Sequence, residues 1–301
     1  MSNQTSPSTG RCYGVQRVCR IFQTPRSTYY VRGDVNVPRT LSASLEPKQR
    51  GPKPAMTDGE LLTLIKADLQ SSPFEGEGHR KVWARLRFSR CVRVAPKRIL
   101  RVMRESRLLS PHRVRQGTAR AHNGTITTAA PNIMWGTDGL RVQTVDDAWC
   151  WVFTAVEHWN AECVGLHVCK HGTRFAALEP ICEGVMRSFG TPEAGVARGL
   201  ALRMDHGTQY TADHFLNQIR YWGISASFAL VSEPQTNGVA ERFNRTLKEQ
   251  VLNGRVFRNI EEVRSAVTVF IEHYNREWRV EKLGFRSPMQ ARQAYDMRTA
   301  A

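Results

Sequence analysis

Three acidic side chains, far apart along the chain, are the residues of this sequence best suited to chemistry. Asp138 and Asp205 each lie in or directly after a short apolar run, and Glu241 follows 36 positions after Asp205. Carboxylate oxygens are hard ligands for divalent cations, and two such ions can clamp a phosphodiester under attack. If the three acids converge, the sequence predicts metal-dependent phosphodiester chemistry.

Two strands and one helix must position these acids. The run 133–145 predicts a strand around the first acid, and the run 200–204 predicts a strand that delivers the second. The turn at Asn237-Gly238 predicts the start of a helix that carries the third. Asp146 and Asp147 compete for the role of first acid, but they lie at a predicted turn, whereas Asp138 lies within the strand.

The motifs around the three acids resemble the three boxes of the retroviral-integrase-like transposases. They read Trp135-x-x-Asp138, Asp205-x-Gly207 and Asn237-Gly238-x-x-Glu241-x-x-x-Arg245-x-x-Lys248, with Tyr274-Asn275 and Ser287-Pro288 further on. In particular, the chain resembles the second-frame product of the two-frame bacterial insertion-sequence family, from about residue 11 to residue 295. It departs from the pattern at Asp138-Gly139-Leu140, where many members carry Asp-x-Thr.

The resemblance implies a fold and an activity. The fold is α/β: a ribonuclease-H-like integrase core with a mixed five-stranded sheet and flanking helices, preceded by small all-α helix-turn-helix modules. The activity is cleavage and transfer of DNA strands at element ends, with Asp138, Asp205 and Glu241 holding two Mg²⁺ ions or substituting Mn²⁺ ions. The implied partners are double-stranded DNA of the element ends and target, further copies of the chain assembled on DNA, and an upstream-frame product.

Composition and periodicity predict four segments. They are an N-terminal helical segment and linker (1–56), a helix-turn-helix-like DNA-binding module (57–110), a basic linker (111–130) and the catalytic core with C-terminal helices (131–301). His206, beside the second acid, is as consistent with an ordinary loop residue as with a contact to DNA.

Basic residues favour a polyanionic partner. The formal charge is +16, and residues 76–120 alone hold fourteen Lys or Arg against two Glu. At about 100° per residue, the predicted helix that begins at Pro96 has one cationic and one apolar face. The residues predicted to bind DNA, on this helix and on the helix of the third acid, are Lys97, Arg98, Arg101, Arg104, Arg245 and Lys248.

Cysteine usage and hydropathy suit a reducing compartment. The seven cysteines include no Cys-x-x-Cys pair, and no apolar run is long enough to span a bilayer. Cys163, His167, Cys169 and His171 lie close together, but they alternate along a predicted strand, which disfavours a zinc site. We therefore expect a cytoplasmic, nucleoid-associated protein.

Two other functions stay open from the sequence. A non-catalytic DNA-binding regulator, or an inactive relic, would use the helix-turn-helix without cutting DNA. A ribonuclease-H-like nuclease would degrade RNA–DNA hybrids without joining strands. The complete set of three acids disfavours the first alternative, and the basic module disfavours the second.

Overall fold

The computed structural model describes residues 3–33, 55–110, 128–229 and 238–300. The chain divides into two compact units, Met1–Ala55 and Met56–Ala301. The first contains helices α1 (Val15–Ile21) and α2 (Arg26–Gly33). Most of both predicted linkers, and the turn predicted at Asn237, lie outside the described residues.

Three helices open the second unit: α3 (Asp58–Ser71), α4 (His79–Phe88) and α5 (Pro96–Glu105). Thr57 and Glu60 form the predicted capping box at the start of α3, since each side chain accepts a hydrogen bond from the other residue's backbone N–H. The helices share a small apolar core built from Leu61, Ile65, Val82, Leu86, Ile99, Val102 and Met103. These three helices are called the helical module below.

One mixed sheet forms the centre of the remaining chain. Its strands are β1 (Met134–Thr144), β2 (Ala148–Glu157), β3 (Cys163–Cys169), β4 (Ala201–Met204) and β5 (Ser225–Phe228). The spatial order is β3-β2-β1-β4-β5. The first three strands are antiparallel, whereas β4 pairs in parallel with both β1 and β5. This arrangement confirms the predicted ribonuclease-H-like sheet.

Helices cover both faces of the sheet, each over its own apolar core. One face packs against α6 (Arg174–Phe189), α7 (Thr208–Thr211) and α8 (Asp213–Tyr221). The other packs against α9 (Gly238–Leu247), the π-helical segment Lys248–Leu252 and α10 (Ile260–Glu277). A 3₁₀ turn (Glu281–Leu283) and α11 (Pro288–Ala300) follow. Among the described residues, no helix combines the length and apolar character needed to cross a membrane.

The sequence predicts a helix from Thr211 to Trp222 with Thr211 as its cap, and this prediction is wrong at its start. A separate short helix ends at Thr211, and α8 begins at Asp213 after Ala212, whose backbone is extended. Tertiary packing overrides the local cap signal here, because Tyr210 is fully buried and its ring packs edge-on against Phe215.

The Tyr274-Asn275 and Ser287-Pro288 motifs have structural roles. The buried Asn275 side chain donates to the carbonyl of Cys163 and accepts from its N–H, at 2.8 and 3.0 Å, so it acts as an extra partner for the start of β3. The Ser287 hydroxyl accepts from the N–H of Gln290 at the start of α11. These contacts attach the C-terminal helices to the sheet.

The helical module packs against the C-terminal part of the core. Phe74 is buried, with its ring centroid 4.9 Å from that of Trp278. The Gln250 amide, just after α9, accepts from the N–H of Glu75 at 2.9 Å and donates to its carbonyl at 2.8 Å. These contacts join the helical module to the core within the compact unit Met56–Ala301.

Candidate active site

Strands β1 and β4 bring the first two acids side by side. The parallel register pairs Gly136 with Arg203, so counting two residues further along each strand places Asp138 beside Asp205. Adjacent strands lie roughly 5 Å apart, and residues two apart point to the same face. The two carboxylates therefore extend from the same face of the sheet, the face that α9 covers.

A tight turn holds the Asp205 carboxylate. Its Oδ1 accepts a hydrogen bond from the N–H of Gly207 at 2.9 Å. A Cβ atom at Gly207 would lie 3.0 Å from this oxygen and 2.7 Å from the amide nitrogen of Gln209. The glycine of the Asp-x-Gly motif is thus explained by close packing around the second acid.

Helix α9 contributes two residues, Glu241 and Asn244, one turn apart. Glu241 is exposed, whereas Asn244 is buried. The Asn244 Nδ2 donates to Asp138 Oδ2 at 2.8 Å, and its Oδ1 accepts from the Thr154 hydroxyl at 3.2 Å. Because Thr154 is the cross-strand partner of Asp138, Asn244 ties α9 to both β1 and β2 at the first acid.

The three carboxylates interact electrostatically. Burial raises the pKa of Asp138; hydrogen bonds from Asn244 and the Gly139 N–H oppose this, and the nearby charge of Asp205 adds to it. The pKa of Glu241 is raised by burial and then by the charge of Asp138. Asp138 is therefore the common neighbour of the other two acids. A cluster of like charges of this kind is stabilised by a cation.

The donor chemistry fits divalent ions, although the acids are not gathered into a closed ligand set. Among the described residues, no three His, Cys, Asp or Glu side chains lie close enough to hold a metal as they stand. The same finding covers Cys163, His167, Cys169 and His171, for which the sequence already disfavours zinc. The acids, by contrast, are hard oxygen donors that repel one another, which is the chemistry that Mg²⁺ or Mn²⁺ requires.

A buried tyrosine, Tyr210, lies close to the acids and was missed by the sequence analysis. Its side chain is completely buried, and its pKa is raised by burial and further by the charges of Asp138 and Asp205. It stays a neutral phenol that supports the acid-bearing strand ends. Its position in Asp205-His-Gly-Thr-Gln-Tyr210 is the only sequence signal that could have indicated this.

Other candidates near the acids have structural partners. The His206 ring nitrogen Nε2 lies 2.9 Å from the carbonyl oxygen of Ala229, and the ring stacks on Phe228. Asp146 pairs with Arg258 at 3.3 Å, and Asp147 accepts from the N–H of Ile260 at the start of α10. The two aspartates thus join the β1–β2 turn to α10, which supports Asp138 as the first acid.

Comparisons with known proteins agree with this arrangement. A family model described as an integrase core domain matches residues 222–288. The chain is 28% identical over 222 residues to the transposase InsD for insertion element IS2A/D/F/H/I/K of Escherichia coli, covering 71% of this chain and 72% of that protein. The InsD transposase for IS2-9 of E. coli strain K12 is equally similar, with 71% of both chains covered. The chain is therefore similar to insertion-sequence transposases, and part of it matches an integrase core.

Two solved structures are also similar to this chain. One is the catalytic core domain of BIV integrase, with a TM-score of 0.41 and 20% identity over 56% of this chain and 99% of that one. The other is a chain of the simian T-cell lymphotropic virus intasome in complex with PP2A regulatory subunit B56 gamma. Its TM-score is 0.39, with 14% identity over 70% of this chain and 68% of that one.

The residues predicted to bind DNA fall into two groups. On α5, Arg98 and Arg101 both pair with Asp58 at the start of α3, and Arg98 also donates to the Met56 carbonyl at 2.6 Å. Lys97 and Arg104 are exposed. Two of the four residues predicted on α5, Arg98 and Arg101, therefore stabilise the helical module through ion pairs. Lys97 and Arg104 can contact DNA without breaking these ion pairs.

The second group lies beside the acids. Arg245 follows Glu241 by about one turn of α9, and its charge opposes the rise in the pKa of Glu241. Lys248 begins the π-helical segment, and its charge opposes the rise in the pKa of Asp138. Both cations are exposed. They lie within electrostatic range of the acids, in a position suited to DNA phosphates.

Proposed function

We propose that this transposase cuts DNA at the ends of its insertion sequence and joins the released 3′ ends to target DNA. Asp138, Asp205 and Glu241 would hold two Mg²⁺ ions, for which Mn²⁺ substitutes. The observation that carries the proposal is the electrostatic coupling of Asp138 to both other acids, which lie far from it along the chain.

The residues around the acids support this role in distinct ways. When bound, the ions would supply charge stabilisation at the phosphate and an activated oxygen nucleophile. Asn244 fixes the rotamer of Asp138 by donating to Oδ2, which leaves its remaining lone pairs free for a ligand. The Gly207 N–H holds one oxygen of Asp205 and orients the other. These contacts hold Asp138 and Asp205 individually, and the approach of Glu241 on α9 would complete the ligand set when the ions bind.

Cations then hold the DNA. Arg245 and Lys248 are exposed beside the acids, and Lys97 and Arg104 are exposed on the helical module. Each contact with a phosphate adds salt-dependent affinity that is independent of base sequence. Assembly of several copies on paired ends, and joining to an upstream-frame product, are further predictions, which sizing of the protein–DNA complex would check.

Strand cleavage and joining assays on duplexes that carry the element ends test the proposal. With Mg²⁺ or Mn²⁺ the wild type should nick and then join these ends, and chelation should stop both steps. Asp205→Asn and Glu241→Gln should abolish both, whereas Glu272→Gln, an exposed carboxylate on α10, serves as the matched control. Wild type and variants that bind alike without cutting would instead indicate a regulator. Degradation of RNA–DNA hybrids without joining would indicate a nuclease.

A further inference from the structure

A second group of charges lies on the same sheet face as the acids and consists of cations. Arg203 precedes Asp205 by two residues on β4 and pairs in register with Gly136, two residues before Asp138. Residues two apart on a strand share a face, so the Arg203 side chain extends beside the two acids, one step back along the strands.

Two more cations reach this place from different elements. Lys282, in the 3₁₀ turn, donates from Nζ to the carbonyl of His158 at 2.7 Å, and the His158 N–H in turn donates to the carbonyl of Met134 at the start of β1. Arg242 directly follows Glu241 on α9. Burial lowers the pKa of Lys282, and the charge of Arg242 lowers it further. Arg203, Arg242 and Lys282 are called the cation cluster below.

Among the residues that the structure describes, no carboxylate forms an ion pair with a member of the cation cluster, although Glu157 is near enough to raise the pKa of Lys282. Arg203 donates from Nη1 to the Ser227 hydroxyl at 2.9 Å, but its buried Nε has no hydrogen-bond partner. Glu157 attracts Lys282, yet its carboxylate already accepts from the N–H groups of Asn132 and Trp159. The cluster therefore retains unsatisfied donors and positive charge.

Burial and this excess positive charge lower the pKa of one histidine, His158. His158 is 2% exposed, and neither ring nitrogen has a hydrogen-bond partner. Its pKa is lowered to about 4 by burial and by the charges of Lys282 and Arg203, so the ring stays neutral. Gathering cations without a counter-ion is unfavourable, and an anion bound against the cluster would relieve it.

The position of the cluster indicates which anion. Arg242 and Lys282 are exposed, so a large ligand can reach them. At about 100° per residue, Arg245 lies roughly 40° from Glu241 around α9, whereas Arg242 lies about 100° away. The two cations are therefore about 60° apart on the same side of Glu241, with Arg245 nearer to it. A strand of DNA that reaches the acids along this side of α9 would meet both cations.

We propose that Arg242 and Lys282 bind a backbone phosphate of the DNA, close to the phosphate that is cut. The charge of Arg203 behind them would strengthen this contact. This inference rests on the proposed function, since it takes DNA as the substrate of the neighbouring acids. It adds a phosphate contact that was not among the residues predicted from the sequence.

Salt-dependent binding in a metal-free buffer tests the inference separately from strand cleavage. The affinity for an end duplex is measured over a range of NaCl concentrations for the wild type, Arg242→Gln, Lys282→Gln and the double variant. Each lost contact should reduce the slope of log K against log salt by about 0.9. If the two cations share one phosphate, the slope of the double variant should be only slightly smaller than that of either single variant. Arg220→Gln, on α8 at the opposite face of the sheet, should match the wild type.

Two further measurements keep the result interpretable. Arg242→Lys and Lys282→Arg preserve charge and should retain the wild-type slope, which separates lost charge from lost folding. Duplexes with one neutral methylphosphonate at each position near the cut should show one site where the wild type loses affinity and Arg242→Gln loses no more. Variants with the wild-type slope, or equal penalties for wild type and variant at every position, would overturn the inference. Reduced slopes in Arg242→Gln and Lys282→Gln, together with a wild type that does not cut the DNA, would count against the proposed function alone.

Discussion

Two acids in neighbouring strands, Asp138 and Glu157, both have a raised pKa, but their surroundings differ. Burial raises the pKa of both Asp138 on β1 and Glu157 at the end of β2. Glu157 is fully buried, and its carboxylate accepts from two backbone N–H groups and from the Trp135 indole, with Arg292 at 3.7 Å. Every nearby group opposes the rise in its pKa. Asp138, in contrast, has two donors and an acidic neighbour that raises its pKa further.

This is the difference that we expect between a structural acid, Glu157, and the proposed metal ligand Asp138. Glu157 has its hydrogen-bonding capacity filled by groups that the fold itself supplies, so it connects β1, β2 and α11. Asp138 can still accept further hydrogen bonds or bind a cation, and it lies close to another carboxylate. Such repulsion destabilises the folded protein unless a cation binds. A raised pKa alone would not have distinguished them; the sign of the neighbouring charges does.

Asp138→Asn should give the largest separation between the two acids. We expect end cleavage to fall by about a thousandfold or more, because an amide cannot replace the carboxylate as an ionic ligand. The free energy of unfolding at pH 7 should not fall, since the raised pKa means that the charged form is disfavoured in the folded state. Initial rates and urea unfolding measure the two effects. Cleavage within tenfold of the wild type would remove Asp138 from the site.

Glu157→Ala should show the opposite pattern. It leaves the buried donors of Asn132, Trp159 and Trp135 without their acceptor and removes one of the two carboxylates near Arg292, which keeps Glu162 at 3.0 Å. We expect the free energy of unfolding to fall by about 3–5 kcal/mol. Cleavage per folded molecule should change far less than in Asp138→Asn. Urea unfolding at 10 °C, with rates corrected for the folded fraction, checks this. A stable but inactive Glu157→Ala protein would contradict the comparison.

The histidine after Glu157 extends the comparison to pH. A folded-state pKa of about 4, below the ordinary 6.5, means that the unfolded chain binds more protons between these values. Stability supplied by neutral His158 is therefore present above pH 6.5 and is lost as the pH falls towards 4. As the pH falls from 7 to 4, the free energy of unfolding of His158→Leu should rise by about 3 kcal/mol relative to that of the wild type. Exposed His171→Gln is the control, and parallel stability profiles would refute the assignment.

Asn244 allows a finer adjustment of the acid site. Its donor lowers the pKa of Asp138, so Asn244→Ala should raise that pKa and move the acid limb of the pH–rate profile for cleavage to higher pH. Thr154→Val removes only the bond to Asn244 Oδ1 and should produce a smaller shift in the same direction. A profile that does not move in Asn244→Ala would show that Asn244 has no influence on the protonation of the site.

Local patterns in the sequence predicted much of the scaffold. Short apolar and β-branched runs predict all five strands, at 133–145, 149–156, 163–169, 200–204 and 224–231. Thr57, with Glu60 three residues later, predicts a capping box that the structure confirms. The strand order came from the resemblance to a family, since periodicity does not encode which strands pair. The misplaced start of α8 shows the limit of local signals, because the burial of Tyr210 decides where the helix begins.

The surroundings of the acids were less predictable. Asn244 contacts residues 106 and 90 positions away, so no local pattern identifies it as their partner. Arg98 and Arg101 were predicted to bind DNA from the helical face they share, but their ion pairs with Asp58 depend on how α3 packs against α5. Arg242 and Lys282 become neighbours only once the chain folds.

The central claim is that Asp138, Asp205 and Glu241 share divalent cations on DNA. Titration of Mn²⁺ into the complex with end DNA, followed by electron paramagnetic resonance, measures the bound ions directly. The wild type should bind two Mn²⁺ ions per active site, and Asp138→Asn, Asp205→Asn and Glu241→Gln should each lose at least one. Identical Mn²⁺ binding by the wild type and all three variants would contradict the account.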